Sequence, residues 1–317
     1  LEKENLTDTV VGVFNNYGWD DVKYWANSLV ASGFEGRKVA IAYQVMDEVV
    51  LKLQRIGFEV HRKDIFDVGD RFNIVVRRFY DLWDVCSQME HEPGDRLITT
   101  DVGDVVFQRN PSEYLEMCTS PDFLLASGEG IRYKDEPWSH RNMIRSFGEE
   151  EFDKMAHYEI CCAGVIVGAH DTVVRLAQDV YMLCQDRPQF VEGGGGPDQA
   201  AYNILIRGKY RNKMIFANHG DWWAAQMGTT LHAVKAGMGD IGWSYAQAED
   251  KEARLAEIEK LMLYRQPIIH ETGVVYNADN SDPYCIVHQY NRVPHLRMKI
   301  RNETIASDMD HLYIKIG

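Results

Sequence analysis

Ile98-Thr99-Thr100-Asp101-Val102-Gly103-Asp104-Val105-Val106-Phe107-Gln108 is the stretch on which the reading of the fold turns. Its start completes a short apolar run, Arg96 to Thr100, with the composition of a β-strand. Two carboxylates follow, with Gly103 between them. Ligands of open α/β sheets bind beyond the carboxyl ends of the strands, so Asp101 and Asp104 stand where a site belongs. Carboxylates are hard oxygen ligands suited to Mg or Mn, which favour phosphate oxygens as their remaining ligands. Gly103 would let the backbone turn tightly and let a diphosphate approach. An ordinary acidic turn after a strand reads the same way, since Asp and Gly are common there. The segment alone does not separate the two.

Upstream of this stretch, strand and helix signals alternate. Thr9 to Phe14 reads as a buried strand that ends in the turn-prone Asn15-Asn16-Tyr17-Gly18. Helical spacing follows from Asp20 to Ser32, then a strand at Lys38 to Tyr43, a helix at Met46 to Ile56 and a strand at Phe58 to Val60. This order predicts a parallel sheet flanked by helices. Ile74 to Met89 is a further helix. Downstream the pattern is less regular. Strands are expected at Phe123 to Ser127, Ala163 to Val167 and Ile286 to His288, and helices at Thr172 to Cys184, Gln199 to Ile206 and Glu249 to Tyr264. With no repeat and no linker-like stretch, a single α/β domain over residues 1–317 with a C-terminal elaboration is the economical expectation.

Composition narrows the partners. The 317 residues are 45% hydrophobic, enough for a large core without staples, and carry a formal net charge of -14. An acidic surface repels phosphate backbones and anionic membranes, so nucleic acid is an unexpected partner. An anionic substrate would need local neutralisation, for which a divalent cation is the obvious candidate. The six cysteines show no Cys-x-x-Cys spacing, which argues against zinc ribbons and disulfide scaffolds and for reduced thiols in a cytoplasmic setting. No apolar run reaches transmembrane length, and no signal-peptide pattern is present. Asn5-Leu6-Thr7 and Asn302-Glu303-Thr304 match the glycosylation triplet, a pattern that chance produces often.

Four stretches in order carry a family resemblance. Asp101 to Phe107 resembles the metal-binding Asp-x-Asp motif of GT-A-fold glycosyltransferases, in its longer Asp-x-x-Asp form. Ala163-Gly164-Val165-Ile166-Val167-Gly168 is similar to the small-residue strand beneath the sugar site. Pro197-Asp198-Gln199-Ala200-Ala201-Tyr202-Asn203 is similar to the Asp-Gln element that faces the transferred sugar and acceptor. Val287-His288-Gln289-Tyr290 resembles the late histidine that completes the metal site in glycogenin-like members. One departure stands out: Cys161-Cys162 occupies the place where asparagine is usual.

The resemblance implies a GT-A, Rossmann-like mixed sheet flanked by helices, with residues to about 110 binding nucleotide and about 111–317 binding acceptor. It implies a hexosyl- or pentosyltransferase that takes a nucleoside-diphosphate sugar, UDP- before GDP-, and passes the sugar to a carbohydrate or other hydroxyl acceptor. Retention of anomeric configuration is slightly favoured. Asp101, Asp104 and His288 would hold the metal, although a lone histidine on an apolar strand is more often structural. The imidazole tilts the choice to Mn2+ over Mg2+. Phe14, Asn15, Asn16 and Tyr17 would hold the base, and Arg78, or its neighbour Arg77, the phosphates. Val102, Gly103 and Gly164 would line the donor. Asp198 and Gln199 are the candidates nearest the chemistry, with Glu129 a rival base. Asp198 could equally cap the helix it opens. The glycines Gly193 to Gly196 suggest a closing loop. Trp138, Trp222 and Trp223 are either acceptor-stacking surfaces or core, and His219 and Asp221 are further candidate contacts. A metal-dependent phosphohydrolase or nucleotidyltransferase is the second enzyme class, though the chain lacks a Walker-type loop and a dense His–Asp cluster. A carbohydrate-binding relic of the fold is the non-enzymatic alternative.

Overall fold

The structure is a computed structural model that describes residues 7–63, 73–118, 120–190 and 195–306. Asn5, Leu6, Gly193 and Gly194 lie outside the described residues, as do the side chains of Asn302, Glu303 and Thr304. The first half follows the strand–helix alternation. Strands β1 (Asp8–Asn15), β2 (Arg37–Tyr43), β3 (Phe58–Lys63) and β4 (Arg96–Thr100) run parallel, with β1 between β2 and β4. The intervening helices Trp19–Ala31, Asp47–Arg55 and Ile74–Cys86 match their expected spans to within a few residues.

Beyond β4 the sheet stops being parallel. In chain order the next strands are β5 (Val105–Phe107), β6 (Leu124–Arg132), β7 (Glu159–Ala169) and β8 (Met214–Ala217). Strand β7 inserts antiparallel between β4 and β6, and β8 closes the far edge parallel to β6. All eleven residues of β7 are buried. A strand covered on both faces shows no alternation, and an apolar run carries no sign of its direction. The result is one seven-stranded mixed sheet in the order β3-β2-β1-β4-β7-β6-β8.

A small second sheet sits beyond the end of β4. It pairs β5 with β12 (Ile286–His288) antiparallel and β12 with β9 (Ala224–Gln226) parallel, so His288 lies opposite both Val105 and Gln226. A two-stranded hairpin, β10 (Ile268–Ile269) and β11 (Val275–Tyr276), completes the strands. Through β12, the late residues of the chain reach the carboxylates that follow β4.

Packing fixes the end of β4. The Trp25 indole N–H donates to Thr100 Oγ1 at 2.8 Å, and its ring fills the space that a side chain at Gly12 would need, 2.5 Å from an added Cβ. At the start of β4, Arg96 and Asp8, both buried, form a two-pronged ion pair whose Nη2–Oδ2 arm is 2.7 Å. The helix expected over Glu249 to Tyr264 is shorter, Lys251–Glu259. It is charged outward as anticipated but anchored by Ile258, which is fully buried.

Candidate functional site

A cleft of about 470 Å³ opens where β4, β7, β12 and the helix Asp198–Arg207 meet. Asp101 leaves the end of β4 with its N–H bonded to the Gly164 carbonyl of β7 at 2.8 Å. Asp104 precedes β5, and His288 ends β12 beside it. One donor atom from each of Asp101, Asp104 and His288 lies within 4.8 Å of the others.

The hydrogen bonding of His288 shows what this cluster fits. Its Nδ1 faces Gln226 Oε1 at 2.7 Å, an acceptor, so Nδ1 carries the proton. Nε2 is then left as a lone pair, buried and without a hydrogen-bond partner, 3.4 Å from an Asp101 oxygen and 3.5 Å from an Asp104 oxygen. Three acceptors that face one another repel unless a cation or a proton sits among them. Two carboxylates and one imidazole match Mn2+ or Mg2+, so the residues present fit a divalent ion. Gly164 makes the approach possible: a Cβ there would lie 2.4 Å from the His288 ring and 2.8 Å from the Asp101 carboxylate.

Arg78, from the helix Ile74–Cys86, links this cluster to the helix Asp198–Arg207. Its guanidinium pairs with Asp101, donates to Asp198 Oδ2 at 3.1 Å and reaches the Ala163 carbonyl at 3.3 Å. Arg78 and then His288 hold the Asp101 carboxyl well below the usual range, although burial pulls the other way. Burial instead pushes Asp198 up, against the pull of Arg78. Glu129 also lines the cleft; burial, reinforced by Glu136, raises it from 4.5 to about 7.

Other candidates are distributed unevenly. Gln199, Gly164 and Trp138 line the cleft together with Asp101, Asp104 and His288. Asp198 does not cap its helix. Pro197 holds the cap position, the helix has no side-chain cap bond, and the Asp198 carboxylate goes to Arg78. Arg77 turns away to pair with Asp81 at 2.7 Å. Phe14, expected among the base-binding residues, is 2% exposed and packed in the core, so its ring cannot stack on a ligand as it stands. Asn15 is half-buried, and Asn16 takes a left-handed turn (φ 54°) with its N–H on the Tyr43 carbonyl. Tyr17 lies over Gly103, where an added Cβ would sit 2.9 Å from its hydroxyl. Gly103 therefore makes room for a ring and does not adopt a left-handed turn. Val102 is buried against β1. Trp223 is core, and Trp222 packs on Tyr114 beneath Arg109. His219 is buried under Gly130, and Asp221 caps the Asn218 N–H; neither lines the cleft. The described end of the glycine loop is anchored: Asn73 bonds the Gly195 carbonyl at 3.3 Å, and Asn142 bonds that of Gly196 at 2.9 Å.

The fold brings to the site two further residues that the sequence reading did not single out. Gln226 orients His288 from β9. Arg292, just after His288, lines the cleft and has no ion-pair partner among the described residues.

No protein-family model matches the chain, and neither does any curated protein. Solved structures do. The galactosyltransferase LgtC, in complex with donor and acceptor sugar analogs, aligns at TM-score 0.54 and 11% identity over 97% of this chain and 98% of that one. An active-site mutant of LgtC aligns at TM-score 0.52 and 10% identity, over 97% and 98%. The glycosyltransferase GlyE of Streptococcus pneumoniae TIGR4 aligns at 0.45 and 13% identity, over 96% of this chain and 64% of that one. The likeness to LgtC shows that the chain has the GT-A-type glycosyltransferase fold. Among the described residues, no helix is long and apolar enough to cross a membrane.

Proposed function

We propose that this chain is a metal-dependent glycosyltransferase that moves a sugar from a nucleoside-diphosphate donor to a hydroxyl acceptor. The observation that carries the reading is the unpartnered His288 Nε2 facing the Asp101 and Asp104 carboxylates inside a cleft of the GT-A fold. A bound Mn2+ or Mg2+ would supply Lewis-acid stabilisation of the charge that develops on the leaving diphosphate.

The protein's own groups take the remaining tasks. Arg292 lines the cleft without an ion-pair partner among the described residues and can meet the diphosphate, whereas Arg78 is engaged by Asp101 and Asp198. Asp198, held by Arg78, and Gln199 face the position of the transferred sugar. Burial pushes the Asp198 carboxyl up although Arg78 pairs with it, and burial raises Glu129 to about 7, so both hold a proton more readily than a free carboxylate. A carboxyl that titrates near the working pH is suited to taking a proton from an acceptor hydroxyl, so Glu129 is the candidate base, while the retaining outcome rests on the resemblance alone. Trp138 and Glu136 on the far wall offer an apolar face and an acceptor to an incoming carbohydrate.

The test is a panel of UDP-, GDP- and dTDP-sugars, followed by thermal shift and by sugar release or transfer, with Mn2+ and with chelator. Stabilisation by one nucleotide class that requires metal, with sugar transferred to a hydroxyl acceptor, is the expected result. Metal-dependent release of a sugar phosphate would move the assignment to a phosphohydrolase or nucleotidyltransferase. No nucleotide-sugar binding at any metal concentration would leave a carbohydrate-binding relic of the fold.

A further inference from the structure

The end of the main sheet remote from the cleft carries a second cluster, which the transferase reading does not use. His170 and Asp171 open the helix His170–Cys184, and His91 lies on the connection between the helix Ile74–Cys86 and β4. The His170 N–H donates to the Asp95 carbonyl immediately before β4, whereas Asp101 follows that strand. At ~3.3 Å per residue the two clusters stand about 20 Å apart.

His91 repeats the pattern of His288. Its Nδ1 faces the Met89 carbonyl at 3.1 Å, and a carbonyl only accepts, so Nδ1 carries the proton. Its Nε2 then turns a lone pair on Asp171 Oδ1, also at 3.1 Å. The His170 ring stacks on that of His91 with centroids 3.9 Å apart and planes 22° from parallel. His170 is 4% exposed, and neither of its ring nitrogens has a hydrogen-bond partner. An unmet buried polar group costs about 1–3 kcal/mol. A proton on His91 would turn its contact with Asp171 into an ordinary ion pair, but it would leave His170 unmatched. A metal ion among the three gives His91, Asp171 and one nitrogen of His170 a shared partner.

We infer that His91, His170 and Asp171 form a second divalent-metal site, selective for Zn2+, separate from the cleft. One donor atom from each of the three lies within 4.8 Å of the others. Two imidazoles and one carboxylate are a borderline donor set that suits Zn2+ and disfavours the oxygen-seeking Mg2+ and Ca2+. Tetrahedral coordination requires the stacked rings to tilt apart. His91 is exposed on a connecting segment and can tilt, while His170 is held by the helix. The partial positive charge at the helix N-terminus opposes a cation, and the Asp171 carboxylate in the first turn offsets it. A cavity of about 810 Å³ adjoins the cluster and leaves room for water in the open coordination position. Bound Zn2+ would clip the 87–95 connection to the start of the helix His170–Cys184.

The test uses the full chain with Asp104→Ala as background, which removes the cleft cluster and makes the outcome independent of the transferase reading. Zn2+ is titrated by calorimetry, and Co2+ is added as a visible-absorption probe of nitrogen coordination. One Zn2+ per chain is expected, with affinity lowered at least about 100-fold by a further His91→Ala, beyond the ~10–100-fold that loss of a merely orienting partner costs. His91 is exposed, so this variant should keep its fold, which circular dichroism checks. His170→Ala should behave in the same way and should lose the Co2+ bands. Absence of Zn2+ binding in the Asp104→Ala background, or binding that His91→Ala leaves unchanged, overturns the assignment.

Discussion

Strand β4 is buried along its whole length, yet its two ends treat charge in opposite ways. At its start, Arg96 and Asp8 face each other across the β1–β4 ladder and close a two-pronged ion pair. At its end, Asp101, Asp104 and His288 face one another, Arg78 reaches Asp101 alone of the three, and only a proton or a cation among them offsets the two carboxylates. The first arrangement is complete within the chain and belongs to the scaffold. The second needs a proton or a cation from outside the chain to complete it, and the proposed function rests on that difference. Burial alone does not distinguish the two, since His288 is as buried as Arg96.

Breaking the closed pair should cost the most stability. Arg96→Ala leaves Asp8 charged and buried, and urea denaturation should show a loss of about 3–5 kcal/mol. Breaking the open end should do the reverse. Asp104→Ala removes one of three mutually repelling acceptors, so denaturation should move little, while metal-dependent sugar transfer falls by about 10²–10³-fold, or ~3–4 kcal/mol of transition-state stabilisation.

A third experiment sharpens the contrast through pH. In the metal-free protein Glu129 holds its proton more tightly than an unfolded chain would, with a pKa of about 7 against 4.5. Its contribution to stability is therefore full below pH 4.5 and lost as pH rises through about 7. The interval corresponds to about 3 kcal/mol at ~1.4 kcal/mol per pH unit. Glu129→Gln should flatten the stability–pH curve of the chelated protein by up to that amount; parallel curves would show that Glu129 titrates normally. The smallest effect is expected at Gln226, which touches no substrate. Gln226→Leu frees the His288 ring and should weaken Mn2+ binding by about 10–100-fold in calorimetry, with the nucleotide affinity of the metal-free protein unchanged.

Much of the donor half was legible because its elements are local. The periodicities of β1 to β4 and their helices follow from neighbouring residues, and a pair of carboxylates after an apolar strand is a local pattern too. The cleft's other wall is not local. Strand β7 is buried throughout and apolar after Glu159, so neither its full length nor its antiparallel direction shows in the text. His288 by itself reads as a structural histidine, and only the family resemblance singled it out. Gln226 matters because β9 lies beside β12 in register, a pairing between segments far apart in the chain that no window of sequence displays. Arg292 had a weak signal, a cation shortly after His288. The last residues of a strand alternate faces, and the Phe14 side chain takes the core side, in one cluster with Trp25 and Val102. Asp198 looked like a cap because Asp before a helix commonly caps; a buried guanidinium nearby competes for the same carboxylate.

The third member of the open cluster comes from β12, the central strand of the small sheet, late in the chain. During synthesis, Asp101 and Asp104 leave the ribosome long before His288, and β5 and β9 have no strand between them until β12 is made. A nascent chain can thus build the parallel half of its sheet while lacking His288 and the cleft wall that carries it. If the proposed function holds, a message truncated shortly before Ile286 yields a chain that folds in part but transfers no sugar.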